Sequence, residues 1–193
     1  LQHVVQQSRG WVLTHDDKPL TGAQQLEFEQ MCTRRLASEP MAYLLGDWEF
    51  YGHRLRTTPD VLIPRPDTET LVDWALEILR VQPGETNPHV LDMGTGSGAI
   101  AISLASACPK ATVLATDISV AALAIAEENI ARIAPKVATA HGSWWQAVPK
   151  GHVFDLIVSN PPYIAGGDHH LDALPYEPRS ALTPGGDGLA AIR

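Results

Sequence analysis

Cysteine is scarce in this chain. Only Cys32 and Cys108 occur among 193 residues, in unrelated contexts and without the paired spacing of a zinc site. Neither a disulfide framework nor a structural metal is indicated, and both read as inert thiols packed as small hydrophobes. Long apolar runs are missing as well. Although 45% of the residues are hydrophobic, no stretch approaches the roughly 18 uninterrupted apolar residues that span a bilayer. Residues 1–10 also lack the apolar centre of a secretory signal. No membrane association is expected, and the cytoplasm is the expected location. Positive charge is the third shortage: 14 Lys and Arg stand against 22 Asp and Glu, a formal charge of −8. A nonspecific grip on nucleic acid takes clustered cations that displace counterions from phosphates, so a protein is the better-suited partner.

What is present is an alternating pattern. Apolar positions in residues 20–35 fall on one helical face, with Thr21 as the capping residue. Residues 43–62 turn aromatic and branched around Gly52 and Pro59, which suits two short strands and a turn. After Pro64 and Pro66, residues 67–80 carry Leu71, Val72, Ala75, Leu76 and Leu79 at helical spacing, acidic at the start and ending in Arg80. A breaker-rich loop follows at residues 83–88. Strands are then expected at 89–93, 112–116, 137–140 and 154–159, with helices at 99–107 and 120–133 between them. Strands and helices that alternate this way build a parallel sheet with crossover helices. Ala190, Ala191 and Ile192 read as the opening of one more helix. Four parallel strands alone leave a face and an edge poorly covered, so a longer parent sheet is expected.

Chemistry concentrates at the ends of these strands. Gly94, Thr95, Gly96, Ser97 and Gly98 lie where the first strand of the sheet passes into a helix, and glycines there let the backbone turn sharply and approach a ligand. The Gly-x-Gly-x-Gly spacing, without a following Gly-Lys-Ser/Thr, disfavours a phosphate cradle. Asp117 ends the next strand about twenty residues on, the place of a carboxylate that accepts ribose hydroxyls; capping the helix after Ser119 is its plainer role. Asp92 either meets a ligand ammonium or orients the loop. Trp144 is the better placed of Trp144 and Trp145 to lie against an adenine ring, with simple packing as the alternative.

Asn160, Pro161, Pro162 and Tyr163 close the fourth strand, and they are the most specific signal. Pro161 pushes Asn160 toward an extended conformation and stiffens the turn. The side-chain oxygen of Asn160 and the carbonyl of Pro161 can then accept both hydrogens of one NH2 group, while the Tyr163 ring stacks on its plane. Such a group is a primary amide or an exocyclic amine. Its lone pair is delocalised, so alignment and acceptor dipoles, rather than a general base, are the means of catalysis. Asp168, His169, His170 and Asp172 fall in a glycine-rich surface loop without helical His spacing, and read as solvated rather than as a metal site.

Residues 43–46, 49–52 and 62–69, the loop 94–98, Asp117, Trp144 and residues 160–163 occur together in an order that resembles the HemK/PrmC family, glutamine-specific methyltransferases of peptide chain release factors. The resemblance implies an α/β, Rossmann-like class I methyltransferase fold using S-adenosylmethionine and releasing S-adenosylhomocysteine. It implies a release-factor-recognising helical region at residues 1–42, a β-hairpin linker at 43–63 and a catalytic domain at 64–193. The family has further helices before Leu1 and further strands after Arg193, so the sheet is expected to lack its C-terminal strands. The implied cofactor contacts are Gly94, Thr95, Gly96, Ser97, Gly98, Asp117, Trp144 and Asn160; the implied catalytic and substrate-binding residues are Asn160, Pro161, Pro162 and Tyr163, with no metal. Residues 65–69 either cap their helix or border the methionine end of the cofactor pocket. Residues 177–179 either buttress the loop after Tyr163 or form an ion pair. Two other readings stay open: an adenine-N6 methyltransferase acting on DNA or RNA, for which Asn-Pro-Pro-Tyr would also serve, and a non-catalytic protein-binding fragment.

Overall fold

The computed structural model describes residues 1–81 and 87–193; residues 83–86 of the expected breaker loop lie outside the described residues. The chain divides into two compact units, Leu1–Gly46 and Asp47–Arg193. The first contains α1 (Gln2–Val5), α2 (Arg9–Thr14), α3 (Gly22–Leu36) and α4 (Met41–Leu45). The expected cap of α3 is a full capping box. Thr21 Oγ1 accepts from the Gln24 amide at 3.3 Å while Gln24 Oε1 accepts from the Thr21 amide at 3.0 Å, satisfying two donors that a helix start leaves free.

The second unit opens with a hairpin of β1 (Asp47–Phe50) and β2 (His53–Arg56). Its strands fill only part of the tract expected to carry them, since residues 43–45 belong to α4, which Gly46 closes at φ 76°. The two turn residues, Tyr51 at φ 49° and Gly52 at φ 74°, are both left-handed, the turn whose twist matches that of the strands it joins. Helix α5 (Asp67–Val81) buries Val72, Ala75, Leu76 and Leu79, the stripe that its sequence spacing predicts.

Next come β3 (His89–Met93), α6 (Ala99–Ala107), β4 (Thr112–Asp117), α7 (Val120–Ile133), β5 (Ala138–His141), β6 (Leu156–Ser159) and α8 (Arg179–Leu182). The four strands form one sheet in the order β5-β4-β3-β6, every pairing parallel. Leu91 of β3 lies opposite Leu114 of β4 and Ile157 of β6. Val90 and Leu91 are fully buried, as a strand covered on both faces by helices requires. The chain moves outward from β3 through β4 to β5, then returns to the other side of β3 to form β6. This reversal sets the carboxyl ends of β3 and β6 side by side with connections leaving in opposite senses, the place where open α/β sheets bind ligands.

Two expectations change. Residues 190–192 are turns, not a helix: Ile192 and Arg193 donate back to the Leu189 carbonyl at 3.0 and 3.2 Å, too few bonds to offset the cost of nucleation. The ends of β5 and β6 also shift, β5 starting at Ala138 and β6 at Leu156, because Val137 and Asp155 make loop bonds to Ala134 and His89 instead of ladder bonds. Among the described residues β6 is a sheet edge, and Ile157 on it is 44% exposed.

Candidate active site

The turn after β3 is stitched to the end of β4. The amides of Gly94 and Thr95 both donate to the Thr116 carbonyl at 2.9 Å, and Gly94, Gly96 and Gly98 all have positive φ, a conformation that glycine adopts without steric cost. Asp92 lies beneath the turn, fully buried. Its Oδ2 accepts from Thr95 Oγ1 at 2.7 Å and from the Ala101 amide at 3.1 Å, while Oδ1 is buried with no hydrogen-bond partner among the described residues. Of its two expected roles, the geometry is that of a loop-orienting residue. Burial pushes the Asp92 carboxyl up to about 6, since an ionised group loses hydration there. The Thr95 and Ala101 bonds oppose the rise, and the neighbouring Asp117 charge adds to it.

Asp117 ends β4 and carries two bonds of its own. Oδ2 accepts from the Gly96 amide and Oδ1 from the Ser119 amide, both at 2.9 Å, so one carboxylate ties the glycine loop to the cap of α7. Each of its oxygens retains a further lone pair.

Above these strand ends lies a cavity of about 470 Å³. Gly94, Thr95, Gly96 and Ser97 line it together with Asp117, Trp144, Asn160, Pro161 and Pro162. Of the expected cofactor residues, Gly98 alone is outside this lining. It caps α6, and a Cβ there would meet Ile102 Cδ1 at 3.2 Å. Trp145 is also outside the lining. Residues from 59–64 and 178–191 also line it, including Val61, Pro64, Ser180 and Ala191, none of which was expected to do so.

A second cavity of about 280 Å³ shares part of the first one's wall. Leu62, Thr68, Asn160, Pro161 and Ala181 line both, so the Asn160-Pro161 turn is part of the partition between them. Tyr163, 64% exposed, lines the second cavity only, together with Arg65, Asp67 and the apolar Leu174 and Leu182. Asn160 Nδ2 donates to Thr68 Oγ1 at 3.4 Å, and its Oδ1 has no partner among the described residues. Ser159 Oγ just before it donates to the Met93 carbonyl at 2.7 Å, fixing the end of β6 against the end of β3.

The tract 63–69 serves several neighbours. Arg65 pairs with Glu177, whose other oxygen accepts from the Ile63 amide at 3.1 Å. Glu69 turns away from both cavities to accept from the Tyr51 amide at 2.8 Å. Arg65 therefore borders the second cavity, and Glu69 anchors the hairpin. Both alternatives for residues 177–179 hold at once: Glu177 forms the ion pair, and Arg179 donates to the Gly166 carbonyl at 3.3 Å, bracing the loop after Tyr163. Asp168, His169 and His170 place their ligating atoms within 4.8 Å of one another on the surface, and hydrogen bonds from the His170 amide and ring hold the Asp168 carboxyl below its usual range.

Residues 69–189 match the Methyltransferase small domain family, and residues 1–46 match the PrmC N-terminal domain. Among curated proteins, a release factor glutamine methyltransferase of Bordetella pertussis is 55% identical, covering 99% of this chain and 70% of its own length. One of Coxiella burnetii is 45% identical, covering all of this chain and 69% of its own length. The chain thus spans about 70% of the length of these relatives. A solved structure of a human methyltransferase 10 domain containing protein superposes with a TM-score of 0.52 at 20% identity, over 76% of this chain and 67% of that one, and shares the class I methyltransferase fold. Parallel sheet, glycine loop, the Asn-Pro-Pro-Tyr turn and a likeness that runs along almost all of this chain agree: the chain belongs to the HemK/PrmC family of release factor glutamine methyltransferases.

Proposed function

We propose that this protein transfers a methyl group from S-adenosylmethionine to the side-chain amide nitrogen of the glutamine in the Gly-Gly-Gln motif of peptide chain release factors, in the cytoplasm. The observation that carries the reading is the partition: Asn160 and Pro161 separate a large cavity at the glycine loop from a smaller one lined by Tyr163. Two substrates between which a methyl group passes directly need adjoining chambers that meet at the reacting atoms.

The larger chamber fits S-adenosylmethionine by its donor set. Gly94 and Gly96 have open space where a Cβ would stand, so backbone can approach a ligand closely. Asp117 keeps lone pairs for ribose hydroxyls, and Trp144 offers a flat apolar wall. The volume lies within the usual range for small-molecule sites, about 300–1,000 Å³. When bound, S-adenosylmethionine supplies an electrophilic sulfonium methyl.

The protein's own part is to hold the acceptor nitrogen. Asn160 Oδ1 and the Pro161 carbonyl accept its two hydrogens, which leaves the lone pair, perpendicular to the amide plane, to face the larger chamber, and favours the charge that develops on nitrogen. Leu62, Leu174 and Leu182 suit the aliphatic part of a glutamine side chain, and the Tyr163 ring suits its planar amide. Positioning of this kind is worth up to roughly 7–11 kcal/mol. The nitrogen then gives up its extra proton to solvent.

The test is methyl transfer from labelled S-adenosylmethionine to a release factor, with the modified peptide read by mass spectrometry. Methylated glutamine is expected. Asn160→Ala should remove transfer while leaving cofactor affinity within about tenfold, a shift below 1.4 kcal/mol, and Asp117→Ala should weaken the cofactor first. Label on adenine of DNA or RNA with none on the release factor would overturn the proposal.

A further inference from the structure

We infer that Thr68 is a positioning residue for Asn160: its hydroxyl accepts the Asn160 Nδ2 hydrogen and thereby turns Oδ1 toward the acceptor amide. The inference rests on the function proposed above.

A side-chain amide has two faces of opposite sense. With Oδ1 forward, Asn160 accepts a hydrogen from an incoming NH2 group; turned about χ2, it sets its own NH2 against that group, donor facing donor. Pro161 fixes the backbone of Asn160 but not this torsion, so the orientation has to come from a side-chain contact. Among the described residues Asn160 Nδ2 has one hydrogen-bond partner, Thr68 Oγ1 at 3.4 Å, and Oδ1 has none. The bond is long, and catalytic hydrogen bonds in ligand-free sites commonly tighten only when substrate is in place.

Thr68 is itself well held. It lies in the first turn of α5, where its amide donates to the Arg65 carbonyl at 3.0 Å. Arg65 in turn is fixed by Glu177, whose carboxylate is almost completely buried and also secures the Ile63 amide. A β-branched side chain at that place has few rotamers to choose from. Thr68 lines both cavities, as Asn160 and Pro161 do, so the contact lies within the partition and not at its rim. Its neighbours Asp67 and Glu69 cannot replace it: Asp67 lines only the second cavity, and Glu69 is engaged by Tyr51.

Thr68→Val keeps the shape and removes the hydroxyl; Thr68→Ser keeps the hydroxyl. Valine should lower kcat for release-factor methylation about tenfold, the worth of one ordinary hydrogen bond in a transition state. KM and cofactor affinity by calorimetry should stay within about threefold, and serine should recover most of the rate. A purely structural role would lower the melting temperature and would not separate kcat from KM. A second readout needs no turnover: ¹⁵N relaxation of the Asn160 side-chain amide should show greater motion in Thr68→Val and near-wild-type order in Thr68→Ser. Equal kcat and equal amide order in the wild type and Thr68→Val overturn the inference, as does a serine variant as impaired as valine. A wild-type protein that does not methylate release factors would overturn the proposed function, and the amide relaxation would still decide the role of Thr68.

Discussion

Asn129 of α7 donates from Nδ2 to the Ser97 carbonyl at 2.9 Å, although 32 residues separate the two in the chain. The same nitrogen donates to the Arg56 carbonyl at 3.0 Å, and Oδ1 accepts from the Arg56 amide at 2.7 Å and from Arg132 Nη2 at 2.9 Å. One fully buried side chain thus joins the glycine loop to the end of the hairpin and to the helix between them.

Asn129→Leu keeps the branched shape and strands the Arg56 amide, the Arg56 carbonyl and the Ser97 carbonyl. Buried backbone groups left without partners make such a change cost about 2–4 kcal/mol, or roughly 5–15 °C in melting temperature for a chain of this size. Thermal unfolding followed by circular dichroism measures it, and a shift under 2 °C would show that water or another side chain takes over the bonds.

Asp92 makes stability depend on pH in an unusual sense. Its folded-state value is raised to about 6 from an ordinary 3.8, so between those values the folded state binds the proton and the unfolded state does not. The stabilisation is fully present below pH 3.8 and is lost as pH rises through 6, for a total on the order of 3 kcal/mol. Asp92→Asn removes that term. Urea denaturation from pH 4 to pH 7 should show the variant gaining on the wild type as pH rises; a constant difference would mean that Asp92 titrates normally.

How much of this was legible in the sequence follows from how local each signal is. The glycine loop reads well because strand, glycines and helix succeed one another within about ten residues, the Asn160 turn because two prolines follow directly on a buried strand, and the helix 120–133 because its apolar stripe is continuous; the helix 99–107 reads from an apolar run buried all round. Thr68 and Asn129 did not, since their roles depend on partners 92 and 73 residues away. Asn129 did leave a trace: it is a polar residue on the stripe made by Ala122, Ala126 and Ile130, a place where a buried amide must have a partner. The part that residues 59–64 and 178–191 play in lining the cavity left none, because these segments are mostly irregular and their side chains share no period.

The glycine loop offers a separation of binding from stability. Gly96 and Gly98 have φ values of 57° and 84°, so alanine at either carries the strain of a left-handed residue, about 1–2 kcal/mol. Their surroundings differ. A Cβ at Gly96 meets nothing within 4 Å and Gly96 lines the larger cavity, whereas a Cβ at Gly98 lies 3.2 Å from Ile102 Cδ1 and 3.5 Å from Ala126 Cβ. Gly98→Ala should therefore lose the more stability, through crowding of α6 against α7, with S-adenosylmethionine affinity within about threefold of wild type, under 1 kcal/mol. Gly96→Ala should melt closer to wild type yet bind the cofactor at least about tenfold more weakly, a loss of 1.4 kcal/mol or more, because its methyl occupies ligand space. Calorimetric titration beside a thermal melt reads both quantities. If the two variants lost affinity in proportion to their lost stability, the loop would act as one rigid unit, and the division between a ligand-facing Gly96 and a helix-capping Gly98 would be wrong.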